Sequence, residues 1–300
     1  LKTLLDQVSF ISNTMTHVFE FCPDWGKRLS EAAPKLVRSR GLVKENKKVC
    51  LDGGFDLKGG EHVVVPKPPP TDRIVPPAEP VLVRPLFDKT NVAVALMDTL
   101  SGALELGDQS VALNFANAHC QGGGYYRGAQ AQEEDLCRLL PQLIHSLEYV
   151  PYPILQWEGE CLLTRGLVAV REVGTYNLCA SQGLVNILTA AMPCGDAGEP
   201  GGREWTATVN LRVRGVLHAA KASGFTKLVL GAWGCGAFGN PPDLVACIFR
   251  EQLCQQEFRG AFDEILFAIV DPRGDGNFAP FYREIRKING SLGAAGPEMT

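Results

Sequence analysis

The stretch NFANAHCQGGGYYRGAQAQEEDLCR, from Asn114 to Arg138, decides how this chain of 300 residues folds. It begins with an apolar segment, passes through three consecutive glycines and enters a helical pattern that carries two adjacent glutamates. Consecutive glycines are used where the backbone needs positive φ or where another molecule approaches closely. A glycine turn between a strand and a helix also leaves N–H groups that suit an anion. The stretch therefore predicts a strand, a turn and a helix that together form a site.

Each part of this stretch has a structural explanation when it is taken alone. Acidic residues in a first helical turn are stabilised by the helix macrodipole. Runs of glycine occur in many tight turns. The combination of the glycines with the carboxylates, and not either part, indicates a functional site.

Strands and helices alternate on both sides of this stretch. Strands are predicted at Asn91–Met97, Ser110–Phe115, Val185–Ala191, Lys227–Gly231 and Glu264–Val270, and an apolar run at Leu162–Val170 is harder to assign. Helices are predicted at Thr99–Leu106, Ala129–His145, Glu204–Ser223, Pro241–Leu253 and Phe278–Ile288. Such alternation predicts an α/β fold with a mostly parallel or mixed sheet that is covered on both faces.

The first part of the chain differs from the rest. Residues 1–49 predict two or three helices, and the segment from Pro66 to Pro85 is rich in proline. We interpret the proline segment as an extended connector on the surface of the main domain, in preference to a proline-rich ligand. The predicted organisation is a helical extension with connector at 1–87, an α/β domain at 88–290 and a tail at 291–300.

A second glycine loop, GAWGCGAFGN at Gly231–Asn240, follows a wholly apolar strand and leads into a helix. We expect Asn240 at the N-cap and Pro241 at the first helical position. A helix N-terminus beyond the carboxyl end of a strand is where open α/β sheets place ligands, which favours a phosphate-binding loop over a simple change of direction. Because no Walker lysine follows, nucleoside triphosphate hydrolysis is not indicated.

Composition excludes several classes of protein. The 29 basic and 33 acidic residues give a net charge of −4, which argues against a general nucleic-acid-binding surface. Ten scattered cysteines without a CxxC pair, and five dispersed histidines, predict reduced thiols in a cytoplasmic or nuclear protein and no metal site. No apolar run approaches the length of a membrane span.

One motif consists of GGG, seven further residues and QEE. It resembles the signature of the microbial-type poly(ADP-ribose) glycohydrolases, a family with a macrodomain fold. GAWGCGAFGN is similar to the second ligand loop of that family, and further similarities lie in NFAN, MDTLSGALEL, NILTAAMP, EILFAIVD and NFAPF. The resemblance covers about Asn91 to Ile288. It departs at Gln121, where the family has proline, and over Leu140–Glu148.

The resemblance implies a macrodomain-like, three-layer α/β/α fold with an N-terminal helical extension. It also implies hydrolysis of the ribose–ribose O-glycosidic bonds of poly(ADP-ribose), without a metal or cofactor. Glu134 would act as general acid and then as general base, a double role that needs a carboxyl group whose pKa is raised by an enclosed site. Glu133 would hydrogen-bond the ribose hydroxyls.

The remaining ligand residues also follow from the resemblance. Asp98 would bind the adenine amino group, and Phe278 would stack on adenine unless it is a core aromatic. The distal ribose would be bound at Asn117, Gly122, Gly123 and Gly124, with Gln132 supporting this loop. The diphosphate would be bound at Gly234, Cys235, Gly236, Ala237, Phe238, Gly239 and Asn240.

Other functions remain open at this point. The expected partners are poly(ADP-ribose) or an ADP-ribosylated protein and the product ADP-ribose, with the chain acting as a monomer. A macrodomain that binds ADP-ribose without cleaving it is the alternative from another class, although two carboxylates beside an anionic ligand would cost affinity. The substrate could instead be mono-ADP-ribose on protein or nucleic acid. A hydrolase that uses Cys120 and His119 is least favoured, because adjacent residues rarely present a thiol and its base to each other.

Overall fold

The computed structural model describes residues 37–82, 84–154, 159–195, 197–271 and 276–291. The chain divides into two units, Leu1–Ala33 and Pro34–Thr300, and every described residue belongs to the second. The helices predicted before residue 37 and most of the predicted tail lie outside the described residues. None of the described helices has both the length and the apolar character that are required to cross a membrane.

A mixed sheet of seven strands forms the centre of the described unit. The strands in chain order are β1 (Gly54–Asp56), β2 (His62–Val64), β3 (Thr71–Ile74), β4 (Asn91–Ala95), β5 (Ser110–Ala116), β6 (Cys161–Val168), β7 (Leu184–Ala191), β8 (Lys227–Leu230) and β9 (Glu264–Ala268). β1 and β2 form a separate hairpin, and the others lie in the order β3-β6-β7-β5-β8-β9-β4. The five strands from β7 to β4 are parallel, whereas β3 and β6 run antiparallel to their neighbours.

Helices cover both faces of this sheet. They are α1 (Val37–Asp52), α2 (Thr99–Leu106), α3 (Gln132–Leu139), α4 (Pro141–Leu147), α5 (Arg203–Ala222), α6 (Pro242–Leu253) and α7 (Phe278–Ser291). Buried side chains of α5, α6 and α7 form one core, and those of α2, α3 and α4 form another. The central strand β5 serves both, since Val111 and Leu113 face the first core while Ala112 faces the second. The predicted three-layer α/β/α fold is confirmed.

The parallel strands bring the predicted site segments to one edge of the sheet. Asp98 follows β4, the first glycine turn follows β5, and the second glycine loop follows β8. Carboxyl ends of parallel strands meet at the same edge, which is where ligands bind in open α/β sheets. The topology therefore gathers segments that are more than a hundred residues apart in the chain.

The helix that carries the acidic pair is shorter than the sequence predicted. α3 begins at Gln132 and ends at Leu139, and α4 starts separately at Pro141. Proline lacks an N–H donor and its ring clashes with the preceding turn of a helix, so the helix cannot continue through Pro141. The prediction of one helix over Ala129–His145 is wrong for this reason.

The proline-rich segment contributes a strand to the sheet. β3 lies within it and pairs with β6, and Arg73 in β3 forms an ion pair with the buried Glu160 at 2.6 Å. After β3 the chain runs along α5, where Arg214 Nη1 donates to the Pro77 carbonyl at 2.9 Å and Lys221 Nζ to the Val81 carbonyl at 2.8 Å. The predicted boundary between 87 and 88 therefore separates strands that belong to one sheet.

Candidate active site

The first glycine turn lies directly against the acidic pair. Gly122 and Gly123 have φ of 65° and 57°, in the left-handed region that favours glycine. A Cβ added to Gly123 would stand 2.5 Å from Glu134 Oε1 and 2.8 Å from Glu133 Oε2. Any side chain at this position would therefore displace the carboxylates, which explains why glycine is required here.

Glu134 is held by the backbone on both of its carboxylate oxygens. Oε1 accepts a hydrogen bond from the Gly124 N–H at 2.7 Å, and Oε2 accepts one from the Ala131 N–H at 2.9 Å. The residue is 6% exposed. A carboxylate that bridges the glycine turn and the start of α3 has one orientation, and it stays at the edge of the sheet where a ligand would lie.

Glu133 is buried more completely and has a different environment. It is 3% exposed, and its Oε2 accepts a hydrogen bond from the Asn117 N–H at 2.8 Å. Burial raises the pKa of Glu133 to about 8, the Asn117 N–H opposes this rise, and the nearby charge of Glu134 adds to it. This rise favours the protonated form of Glu133 at neutral pH.

Two buried oxygens near this pair make no hydrogen bond to the protein. They are Oε1 of Glu133 and the neighbouring Oδ1 of Asn114. The Asn114 side chain and the Gly122 N–H also oppose the rise in the pKa of Glu133, and burial outweighs both of them. The raised pKa thus belongs to the carboxyl group that was predicted to orient the sugar.

Gln132 acts as a brace between α3 and the sheet. Its Oε1 accepts a hydrogen bond from the Phe115 N–H at 2.8 Å, and its Nε2 donates to the Leu113 carbonyl at 2.8 Å and to Thr99 Oγ1 at 3.0 Å. These contacts fix the first turn of α3 against the end of β5. Both ends of the side chain are therefore already used by the protein.

Asn117 follows β5 and shapes the loop that precedes the glycines. Its Oδ1 accepts hydrogen bonds from the His119 N–H at 2.8 Å and the Cys120 N–H at 3.0 Å. The residue is half-buried and lines a cavity at this edge of the sheet.

The second glycine loop is held by a single buried asparagine. Asn240 Nδ2 donates to the Pro193 carbonyl at 2.9 Å and to the Gly234 carbonyl at 3.1 Å, and its Oδ1 accepts from Trp205 Nε1 at 2.8 Å. Asn240 is 4% exposed and is not the N-cap of α6, which is Pro241. The predicted cap position is therefore wrong by one residue, because the asparagine side chain turns inward to hold the loop.

The remaining residues of this loop differ in exposure. Gly236, Ala237 and Gly239 are exposed, whereas Cys235 and Phe238 are half-buried and pack against the core. Burial raises the pKa of the Cys235 thiol to about 12, which favours its neutral form. The exposed glycines leave the backbone of the loop open to a ligand.

One cavity joins the two loops. It has a volume of about 210 Å³ and is lined by Asn117, Ala118, His119, Met192, Cys194 and Phe238. Met192 and Cys194 were not predicted as site residues, although they follow β7, the parallel neighbour of β5. The feature of the sequence that could have identified them as site residues is their position directly after a buried strand. A second cavity, of about 150 Å³, lies near the start of β4 and contains no predicted site residue.

Asp98 and Phe278 stand at other positions along the edge. Asp98 is buried and caps α2, with Oδ1 accepting from the Ser101 N–H at 2.9 Å and a short contact from Oδ2 to the Ser101 hydroxyl. Phe278 begins α7, stacks on Tyr282 with ring centroids 5.9 Å apart, and packs against the core. Neither residue lines the cavity between the two loops.

Comparison with known proteins agrees with this geometry. Residues 69–153 match the model of the microbial-type PARG catalytic domain. Comparison with curated protein sequences gives no match.

Solved structures extend the match over most of the chain. A poly(ADP-ribose) glycohydrolase from Thermomonospora curvata, bound to the inhibitor ADP-HPD, is 30% identical with a TM-score of 0.68, over 82% of this chain and 99% of that one. The enzyme from Deinococcus radiodurans in complex with ADP-ribose is 34% identical with a TM-score of 0.60, over 68% of this chain and 87% of that one. The chain therefore belongs to the microbial-type poly(ADP-ribose) glycohydrolase family.

Proposed function

We propose that this chain is a poly(ADP-ribose) glycohydrolase, which cleaves ribose–ribose O-glycosidic bonds and releases ADP-ribose. The observation that carries the proposal is the buried pair Glu133 and Glu134, held under a glycine turn at the edge of the sheet where a second glycine loop also ends. An acidic pair of this kind suits glycoside hydrolysis, in which a carboxyl group protonates the departing oxygen. The family membership supports the same reaction.

Glu134 is proposed as the acid and base of the reaction. It donates a proton to the departing ribose oxygen as the C–O bond breaks and an oxocarbenium ion forms at the anomeric carbon. It then accepts a proton from the water that attacks this carbon, which restores the carboxyl group. The bonds from the Gly124 and Ala131 N–H groups hold Glu134 in place during both steps.

Glu133 is proposed to respond to the sugar. Burial and the neighbouring charge raise the pKa of Glu133. A ribose hydroxyl that donates to Glu133 would stabilise its charged form and oppose this rise.

The substrate is proposed to lie across the edge of the sheet. The N–H groups of Gly234 to Gly239 would bind the diphosphate, with Phe238 on its ribose side and the Asn117 amide on the distal ribose. Asp98 would accept a hydrogen bond from the adenine amino group, with Phe278 as an adenine platform. Asn240 would act through the loop rather than on the ligand, because the protein already uses both ends of its side chain.

The wider context of the activity is also a proposal. Polymer attached to proteins would be the substrate, and the chain would act as a monomer without binding nucleic acid, in line with its net charge of −4. The nine cysteines within the described residues are all free, which supports action in the cytoplasm or the nucleus.

Product analysis on defined poly(ADP-ribose) chains, paired with calorimetric titration of ADP-ribose, tests the proposed function. We expect free ADP-ribose to accumulate and the titration to give one site per chain. Binding without release from polymer would identify a reader of ADP-ribose and contradict the proposal. Release only from proteins that carry a single ADP-ribose would identify a mono-ADP-ribose hydrolase instead.

A further inference from the structure

One side chain of α1 reaches the back of the acidic helix. Asn46 is 0% exposed, and its Nδ2 lies within hydrogen-bonding distance of three oxygens. These are the Tyr125 hydroxyl at 3.1 Å, the Cys137 carbonyl at 3.2 Å and the Arg138 carbonyl at 3.0 Å. The contacts join the segment before the sheet to residues 79 to 92 positions later in the chain.

The three acceptors belong to the two ends of the catalytic segment. Cys137 and Arg138 lie in the last turn of α3, where backbone carbonyls lack partners within the helix. Tyr125 follows Gly124, whose N–H donates to Glu134. Because α3 has only eight residues, it is too short to be stable without such contacts. Asn46 therefore links the exit of the glycine turn to the end of the helix that carries both carboxyl groups.

Asn46 is itself oriented by a buried arginine. Arg171 is 1% exposed and donates from Nε to Asn46 Oδ1 at 2.7 Å. Its other nitrogens bind the Tyr176 carbonyl at 2.5 Å and Glu45 Oε2 at 2.7 Å. Since Arg171 occupies the amide oxygen, the amide nitrogen must point at the three oxygens of the catalytic segment.

We propose that Asn46 is a positioning residue for the catalytic carboxylates. It fixes the distance between Tyr125 and the end of α3, and thereby keeps Glu134 on the Gly124 N–H and within reach of the glycosidic oxygen. It touches neither the substrate nor the reacting atoms. The inference rests on the proposed glycohydrolase function and adds a residue of the N-terminal segment to its machinery.

Asn46→Leu tests this role, because leucine has a similar size and makes none of the four hydrogen bonds. We expect kcat on polymer to fall about thirtyfold, since small misplacements of catalytic groups cost rate. The Kd for ADP-ribose should stay within about threefold, as the second glycine loop does not depend on Asn46. Rates are expressed per ADP-ribose-binding site from the titration, so a partly unfolded sample cannot imitate the effect.

Glu45→Gln is the matched control on the same helix. It removes the partly exposed ion pair with Arg171 and leaves all contacts of Asn46 in place. We expect kcat within about twofold of the parent. If Asn46→Leu also kept kcat per binding site within twofold, Asn46 would be a structural residue only and the inference would be overturned.

Tyr125→Phe tests the positioning role of Asn46 even when Asn46→Leu does not fold. It removes one hydroxyl acceptor and keeps the ring, so we expect kcat to fall about threefold to tenfold with little change in Kd. A kcat equal to that of the parent would overturn the inference. A parent chain that released no ADP-ribose from polymer would instead contradict the proposed function, so the two failures are distinguishable.

Discussion

The two glycine loops at the edge of the sheet are stabilised in different ways. The second loop is closed by Asn240, a residue of the loop itself, which binds the Gly234 carbonyl six residues earlier. The first loop is held from outside by Gln132 on α3 and by Asn46 on α1. The second loop closes on itself through Asn240, which also binds Pro193 and Trp205, whereas the first loop is held by side chains from two separate helices.

This difference matches what each loop is proposed to do. A loop that binds a diphosphate through backbone N–H groups needs only a fixed backbone, and a local clamp provides it. A loop that works with Glu134 has to hold a carboxyl group against a reacting bond, where small errors in position cost rate. We therefore expect changes in the first loop to lower kcat and changes in the second to weaken binding.

Gly123→Ala should have the largest effect and acts on the first loop. The new Cβ would lie 2.5 Å from Glu134 Oε1 and would also require positive φ. We expect kcat on polymer to fall by about a hundredfold or more. Gly224→Ala is the matched control, because Gly224 has a φ of +81° and nothing within 4 Å of the added Cβ. If both variants lost the same activity, backbone strain and not the carboxylates would be the cause.

Asn240→Leu should have the next largest effect and acts on the second loop. The change removes the bonds to the Pro193 and Gly234 carbonyls and leaves Trp205 Nε1 without its partner. We expect the Kd for ADP-ribose to rise about tenfold, with kcat at saturation within about threefold. Asn210→Leu, a substitution in α5 outside the loop, serves as control. A fall in kcat without a change in Kd would contradict the expectation that the second loop serves binding and the first loop serves catalysis.

Glu133→Gln should have the smallest effect of these variants. The quantity that it changes is the free energy of unfolding of the domain. A carboxyl pKa raised to about 8 in the folded state means that the folded chain binds this proton more tightly than the unfolded chain. The parent then loses stability as pH rises from about 4.5 to about 8, and the loss stays constant above that range. Glutamine does not titrate.

We therefore expect Glu133→Gln to be more stable than the parent by on the order of 2 kcal/mol at pH 8, with a smaller difference at pH 5. Thermal unfolding of both proteins across this range measures the difference. An exposed substitution, Glu251→Gln, should show no such trend. A constant difference at all pH values would mean that Glu133 does not hold the proton.

The sequence predicts those parts of the fold that depend on local pattern. The strands β5, β7, β8 and β9 are buried apolar runs, and each was predicted within two residues of its ends. The glycines beside QEE predicted a turn and a helix that form one site, and the structure places Gly123 against Glu134. The break at Pro141 was missed, although proline disfavours the interior of a helix.

Other features depend on tertiary contacts and could not be predicted. The strand β3 lies in a proline-rich segment whose composition favours an extended connector. The two adjacent glutamates look equivalent in sequence, and only burial and the choice of N–H donors distinguish them. The partners of Asn46 lie 79 or more residues away, so no local pattern indicates its role.

Glu134→Gln separates catalysis from binding when ADP-ribose release from polymer and ADP-ribose binding are measured in parallel. We expect release to fall by about a thousandfold or more, because the amide can neither donate the acid's proton nor act as a base. We expect a Kd for ADP-ribose within about threefold of the parent. A variant that released ADP-ribose at the parent rate would contradict the assignment of Glu134 as the acid and base.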